Sequence, residues 1–98
     1  MTFSFQKDRV TALSPEGSAM GYIVFPRIRA GLVNISEVTV LPAFRGQGVE
    51  DAMMEALLSH LEKQGLKAAL TSPFAQQYLE DHPRWNQILP GAIHFTRY

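Results

Sequence analysis

The stretch Val38-Thr39-Val40-Leu41-Pro42-Ala43-Phe44-Arg45-Gly46-Gln47-Gly48-Val49-Glu50 constrains the fold more than any other part of the chain. It reads as the end of a strand, a tight glycine-containing turn and the first turn of a helix. Glycine takes positive φ without steric cost and lets a ligand approach the backbone closely. A helix that starts on such a turn leaves its first backbone N–H groups unpaired. With the helix dipole, those groups make an anion site, most often one for phosphate. The residues alone therefore point to a diphosphate cradle between a strand and a helix. Two glycines in such a loop also serve geometry alone, so the rest of the chain has to decide.

Before the cradle the pattern is that of strands. Phe3 and Phe5 alternate with polar neighbours, and Val10, Ala12 and Leu13 follow a turn near Lys7-Asp8. Ser14-Pro15-Glu16-Gly17 is a turn by composition. Residues 19–25 form the next strand, ended by Pro26, which has no N–H to give a ladder. Residues 27–31 are expected to be a hairpin connection, with Arg27 and Arg29 as solvated charges. Residues 32–41 mix Val, Ile and Thr with little alternation, as a central strand covered on both faces does. Four strands with short turns make an antiparallel meander.

After the cradle the period changes. Val49, Ala52, Met53, Ala56, Leu57, His60 and Leu61 form one stripe of a helix over residues 47–63, with Gly65 as its stop. Residues 66–70 are a short apolar strand. A helix between two apolar strands predicts a right-handed βαβ crossover with the strands parallel. Pro73 suits the first turn of a second helix capped by Ser72 or Thr71, and His82-Pro83 interrupts it. Residues 84–89 look like a further helical turn, stopped by Pro90-Gly91. The expected class is α+β: an antiparallel meander, then βαβα, around a central mixed sheet in a single domain spanning residues 1–98.

Composition removes several functions. The formal net charge is zero, which argues against nucleic acid as the main partner. The chain has no cysteine, hence no disulfide, thiolate ligand or thiol nucleophile. No apolar run approaches the roughly 18 residues of a membrane span. The first residues lack the basic and apolar regions of a signal peptide. The expectation is a cytoplasmic protein without a membrane or nucleic-acid partner. No two histidines have metal-ligand spacing, so no metal is expected.

Val38-x-Val40-x-Pro42 followed by Phe44-Arg45-Gly46-Gln47-Gly48-Val49 resembles the acetyl-CoA-binding motif of the GNAT superfamily of N-acetyltransferases. That pattern is Arg/Gln-x-x-Gly-x-Gly/Ala, and Arg45, Gly48 and Glu50 fall on its defined positions. The order of elements is also that of a GNAT fold. Ser72-Pro73-Phe74, Tyr78 and His82-Pro83-Arg84-Trp85 are similar to the second half of a small single-domain branch of the superfamily. The likeness covers roughly residues 3–89. It implies acetyl-CoA as cofactor, with Arg45, Gly46, Gln47, Gly48 and Val49 at the diphosphate, mainly through backbone N–H groups. Val38 and Val40 would meet the pantetheine arm through backbone, where the strand splays from its parallel neighbour. Their side chains can be plain core at the same time.

Two departures stand out. Glu50 sits near the diphosphate where the family has Gly or Ala. Acids in a first helical turn, here Glu50 and Asp51, favour the macrodipole by roughly 0.3–1 kcal/mol and can satisfy the helix end themselves. Ser72 replaces the cysteine usual in the small branch; its position favours a helix cap, and it is otherwise a candidate acetyl acceptor, which would need an adjacent base. Tyr78 is a candidate general acid towards a leaving thiolate, or a core aromatic. Glu37 is a candidate general base, or an edge acid paired with Arg27 or Arg29. His82 is a candidate base or, before Pro83 at a helix end, a capping or packed residue; His60, on the apolar stripe, reads as packed. Two functions follow. One is an acetyl-CoA-dependent N-acetyltransferase acting on a small-molecule or protein amine. The other is a non-catalytic GNAT-like binding or structural domain with weakened or lost CoA binding. A homodimer is left open.

At the end of the chain, Ile93 and Phe95 alternate with His94 and Thr96 and are expected to pack through one face of an extended segment. Deleting residues 92–98 should then lower the melting temperature; an unchanged melting curve would mean a free tail.

Overall fold

A computed structural model describes residues 1–91. The expected packing of Ile93 and Phe95 lies outside them. Strands β1 (Thr2–Phe5), β2 (Arg9–Leu13) and β3 (Ala19–Val24) form the meander. Their alternation sorts the side chains. Val10, Ala12 and Ile23 are buried on one face, whereas Arg9, Thr11 and Tyr22 lie on the other.

The next two strands depart from the sequence reading. The expected connection contains β4 (Arg27–Arg29), which is exposed throughout. The expected single strand over residues 32–41 is two strands, β5 (Leu32–Ile35) and β6 (Glu37–Val40). Together β3–β4 and β5–β6 run as one long hairpin turned at Ala30-Gly31 and broken at Pro26 on one arm and Ser36 on the other. Pro26 cannot donate to its neighbour. Across from it, the Ser36 N–H and Oγ both donate to the Val24 carbonyl, at 3.0 and 3.3 Å. Val24 faces Glu37 whereas Arg27 faces Val33, so the arm with Ser36 carries an extra residue, as in a β-bulge.

Bulges bend and twist strands, and here the two halves join different sheets. β6 pairs with β3 to complete a four-stranded sheet in the order β1-β2-β3-β6. β4 and β5 join β7 (Lys67–Leu70) in a three-stranded sheet, β4-β5-β7, with β5 and β7 parallel as expected. β6 is therefore an edge strand, not a central one. The α+β order holds, but the sheet is in two parts.

Helix α1 (Val49–Lys63) packs on β2, β3 and β6 of one sheet and β7 of the other. It begins two residues later than the periodicity suggests, because Gly48 is its N-cap in the left-handed region, φ 76°. Val49, Met53, Leu57 and Leu61 are fully buried as expected. So are Met54 and Leu58, while Ala52, Ala56 and His60 are only half-buried. A helix bridging two sheets buries a wider arc than one stripe, and the long side chains fill it. Gly65, at φ 70°, turns the chain out of α1, and Leu66 N–H returns to the Leu61 carbonyl at 2.9 Å.

Helix α2 (Pro73–Asp81) and a 3₁₀ segment (Pro83–Ile88) close the described chain. Ala75, Leu79, Trp85, Ile88 and Leu89 join the same core. On its rim, Glu55 of α1 accepts from Arg84 Nη2 at 2.5 and 2.7 Å and from the Tyr78 hydroxyl at 3.1 Å. Arg84, and secondarily the Tyr78 hydroxyl, hold the Glu55 carboxyl below the usual range. Both partners of the ion pair are about half exposed, so solvent screens it.

Gly21 sets how closely β6 approaches β3. A Cβ there would stand 2.5 Å from the Thr39 carbonyl oxygen and 3.1 Å from Met53 Cε. Two predictions follow from this packing. Gly21→Ala should destabilise the protein by about 1–3 kcal/mol through overpacking, measured by urea denaturation. Arg84→Gln should cost about 0.2–1 kcal/mol at pH 7. Because the folded Glu55 pKa is depressed, that difference is present above the unfolded carboxylate pKa and should vanish as pH falls below about 4. A difference constant with pH would mean that Arg84 acts through packing alone.

Candidate functional site

β5 and β7 stay together as far as Ile35 and Leu70. The Ile35 carbonyl then accepts the N–H groups of Thr71 and Ser72, both at 3.1 Å. Beyond this point β6 follows β3, while the chain leaving β7 enters α2. The divergence opens a cleft of about 410 Å³ lined by Val38, Thr39, Val40, Arg45, Glu50 and Phe74.

One wall is a free strand edge. Leu41 N–H donates to the Met20 carbonyl at 2.9 Å. Opposed residues of an antiparallel ladder alternate between hydrogen-bonded and non-bonded pairs. Tyr22–Thr39 is therefore a bonded pair, and the backbone groups of Val38 and Val40 point away from β3 towards the cleft. Their side chains pack on the core on the α1 side. The core and binding readings of the two valines are thus compatible.

The other wall is the start of α1. A short 3₁₀ turn (Pro42–Phe44) leads into Arg45 and the glycine turn. Gly46 and Gly48 have φ of 77° and 76°, and a Cβ on either would meet nothing within 4 Å. Glycine is required there by backbone conformation, and the space over the turn is open. Gly48 has no side chain to cap the helix, so the first N–H groups of α1 are uncapped by it. Val49 is fully buried and anchors the turn. Gln47 is exposed beside it. Glu50, half-buried, lines the cleft on the same helical turn, and Asp51 is exposed.

The three side chains expected to move protons or acyl groups are not brought together. Ser72 is 4% exposed, and its Oγ accepts from Ala75 N–H at 3.3 Å as the N-cap of α2. The Tyr78 hydroxyl donates to Glu55, and its ring stacks on His82 with centroids 4.0 Å apart. Burial, reinforced by the Glu55 carboxylate, pushes the Tyr78 hydroxyl up to about 12. Glu37 is exposed at the start of β6. Its Oε2 accepts from the Tyr22 hydroxyl and from Thr39 Oγ1, both at 2.9 Å. Those hydrogen bonds, with the Arg9 charge as a smaller contribution, hold its carboxyl below the usual range. The pairing of Glu37 with Arg27 or Arg29 does not form; Arg9 stands nearby instead, 4.2 Å above the Tyr22 ring. His82 Nδ1 lies 2.8 Å from the Tyr78 carbonyl, and His60 stacks on Phe5, so both histidines pack.

Thr39 and Phe74 line the cleft without having been singled out in the sequence. Thr39 lies between the two valines, and Phe74 follows Pro73 at the first turn of α2. Only the divergence of β6 from β7 reveals that these positions share a wall. The free edge, the open glycine turn and the uncapped helix end fit a ligand with amides at one end and a diphosphate at the other. Glu50 is the element that opposes it.

Comparison with known proteins agrees with this geometry. No curated protein matches the sequence. Among solved structures, a GCN5-like protein from Staphylococcus aureus superposes with a TM-score of 0.74 at 21% identity, over 99% of this chain and 95% of that one. Rv2747 from Mycobacterium tuberculosis, solved in complex with CoA, has a TM-score of 0.63 at 22% identity, over 79% of this chain and 48% of its own. Ard1 from Thermoplasma volcanium has a TM-score of 0.62 at 23% identity, over 78% and 54%. The chain therefore spans about half the length of the latter two and nearly all of the first. At these identities the likeness shows the fold. The family itself rests on the sequence: residues 9–88, from the start of β2 to the end of the last 3₁₀ turn, match the GCN5-related N-acetyltransferase model, and the chain belongs to that family.

Proposed function

We propose that the protein is an N-acetyltransferase that takes acetyl-CoA weakly and acts on an amine. The observation that carries this reading is the joining of a free β6 edge to an open helix N-terminus in one cleft. Backbone groups of Val38 and Val40 would pair with the amides of the pantetheine arm, as a strand edge pairs with an added strand. Backbone N–H groups over residues 46–49, with Arg45, would hold the diphosphate. The cofactor would supply an acetyl group as an activated thioester. The chain's own part is to align an amine beside the β6 edge and to offer backbone N–H groups where negative charge develops on the carbonyl oxygen.

Among the side chains, Glu37 is the one we assign to proton removal from the acceptor, through water; it precedes Val38 of the cleft and hydrogen-bonds to Thr39 of its wall. It stays ionised at neutral pH, and its second oxygen is not used by Tyr22 or Thr39. Ser72 and Tyr78 we assign to structure, because their hydroxyls are committed to the α2 cap and to Glu55.

Glu50 supports a second reading, a non-catalytic domain that kept the fold. At an effective dielectric near 20, two unit charges about 4 Å apart repel by roughly 4 kcal/mol. Solvent and side-chain rotation reduce this, and a residue of about 1.4 kcal/mol still weakens binding about tenfold. Calorimetric titration with acetyl-CoA at low and moderate salt separates the readings. Wild type is expected to bind weakly, and Glu50→Ala about tenfold more tightly. Glu50→Gly should also bind more tightly, but at a cost to the helix of roughly 1 kcal/mol relative to Ala. Tight binding unchanged in Glu50→Ala would place the Glu50 carboxylate away from the diphosphate. No binding by either protein would favour the non-catalytic domain.

A further inference from the structure

The broken hairpin opens a second gap. On one side, β6 leaves β7 and makes the cleft described above. On the other, β4 leaves the four-stranded sheet: the β2–β3 ladder runs as far as Arg9 opposite Val24, one further bond joins Phe25 N–H to the Asp8 carbonyl at 2.8 Å, and among the described residues β4 pairs with β5 alone. The space between the β1–β2 turn, the β3–β4 junction and the C-terminal end of α1 is a pocket of about 330 Å³. α1 separates it from the glycine turn by its whole length, about 22 Å at 1.5 Å per residue.

The pocket has a defined chemical character. Phe25 and Val33 line it and are 3% and 2% exposed, which gives it an apolar floor. The Phe5 and His60 rings, stacked with centroids 4.1 Å apart and 17° between planes, give it a flat wall. Lys7 and Arg27 stand at its rim on exposed backbone, from the β1–β2 turn and from β4. Neither enters an ion pair among the described residues. Among the described residues, no acidic one lines the pocket. Three of the last carbonyls of α1 beside it are used: His60 accepts from Gln64, Leu61 from Gln64 and Leu66, and Glu62 from Gly65. Those bonds lessen the negative charge that the helix end presents to a ligand.

An apolar floor, a planar wall and two cations without an ion pair among the described residues suit a ligand with a flat apolar body and one negative group. We propose that this gap binds a small aromatic carboxylate, with the ring between the Phe5–His60 stack and Phe25 and the carboxylate held by Lys7 and Arg27. Pockets of a few hundred Å³ accept ligands of this size, and a carboxylate at a guanidinium gains from paired, charge-assisted hydrogen bonds. This site is independent of the acetyl-CoA reading, since none of its residues lines the first cleft.

Titration calorimetry of the full chain with benzoate and with indole-3-carboxylate, against benzamide as the uncharged control, tests the proposal. At least one acid is expected to bind, and benzamide to bind about tenfold more weakly or worse. The Lys7→Gln/Arg27→Gln double variant changes two exposed side chains and should melt like wild type while losing the preference for the acid. In NMR spectra of the titration, the ring resonances of Phe5 and His60 should shift and the amides of Gly46 and Gly48 should not. Equal binding of benzamide, full retention of acid binding by the double variant, shifts confined to Gly46 and Gly48, or no binding of either acid at about 10 mM would each overturn it.

Discussion

The structure depends on one interruption, the paired break at Pro26 and Ser36. An unbroken hairpin would extend a single sheet and leave β6 flush against the strand after α1. Pro26 withholds a donor on one arm, and the extra residue at Ser36 bends the other. Once the arms turn, β4–β5 and β3–β6 can no longer share neighbours. The free edge of β6 is the direct result. Strand edges ordinarily invite unwanted pairing. Here the edge lies inside a cleft, beside a helix end.

A divided sheet needs something to hold its parts together, and α1 does so. Its buried residues, Val49 through Leu61, contact strands of both sheets, and the core is continuous across the division. This explains why six of its side chains are fully buried when a single amphipathic stripe would have fewer. Gly21 is part of the same arrangement, since β6 passes too close to β3 for a side chain at that point. α2 and the following 3₁₀ segment close the other side of the core, fastened at the rim through Glu55.

The site that results is built mostly from backbone. Val38 and Val40 offer N–H and C=O groups, and the glycine turn offers open helix N–H groups. Such a site tolerates side-chain change, which makes the fold easy to recognise and the chemistry hard to read. Of the other candidate side chains, Ser72 is engaged in a cap and Tyr78 on Glu55, while Glu37 gives one oxygen to Tyr22 and Thr39. Glu50 is the exception, because it lines the cleft itself.

The elements with strong local causes were legible in the sequence. The meander, the body of α1 with its Gly65 stop, the Ser72-Pro73 start of α2 and the His82-Pro83 break all depend on neighbouring residues, and so does the glycine turn itself. The division of residues 32–41 was not legible. Ser36 looks unremarkable within a run of strand formers, and its effect depends on Pro26 lying opposite, which is a fact of register. For the same reason the residues flanking Pro26 looked like a loop, although Arg27 pairs with Val33 as part of β4. Whether Glu37 met an arginine, a tyrosine or water was likewise beyond the sequence, because its partners come from β3 and from its own strand face. Local chemistry fixed where helices and turns begin and end; the long-range pairing of strands decided where the chain opens, and therefore which residues face a ligand.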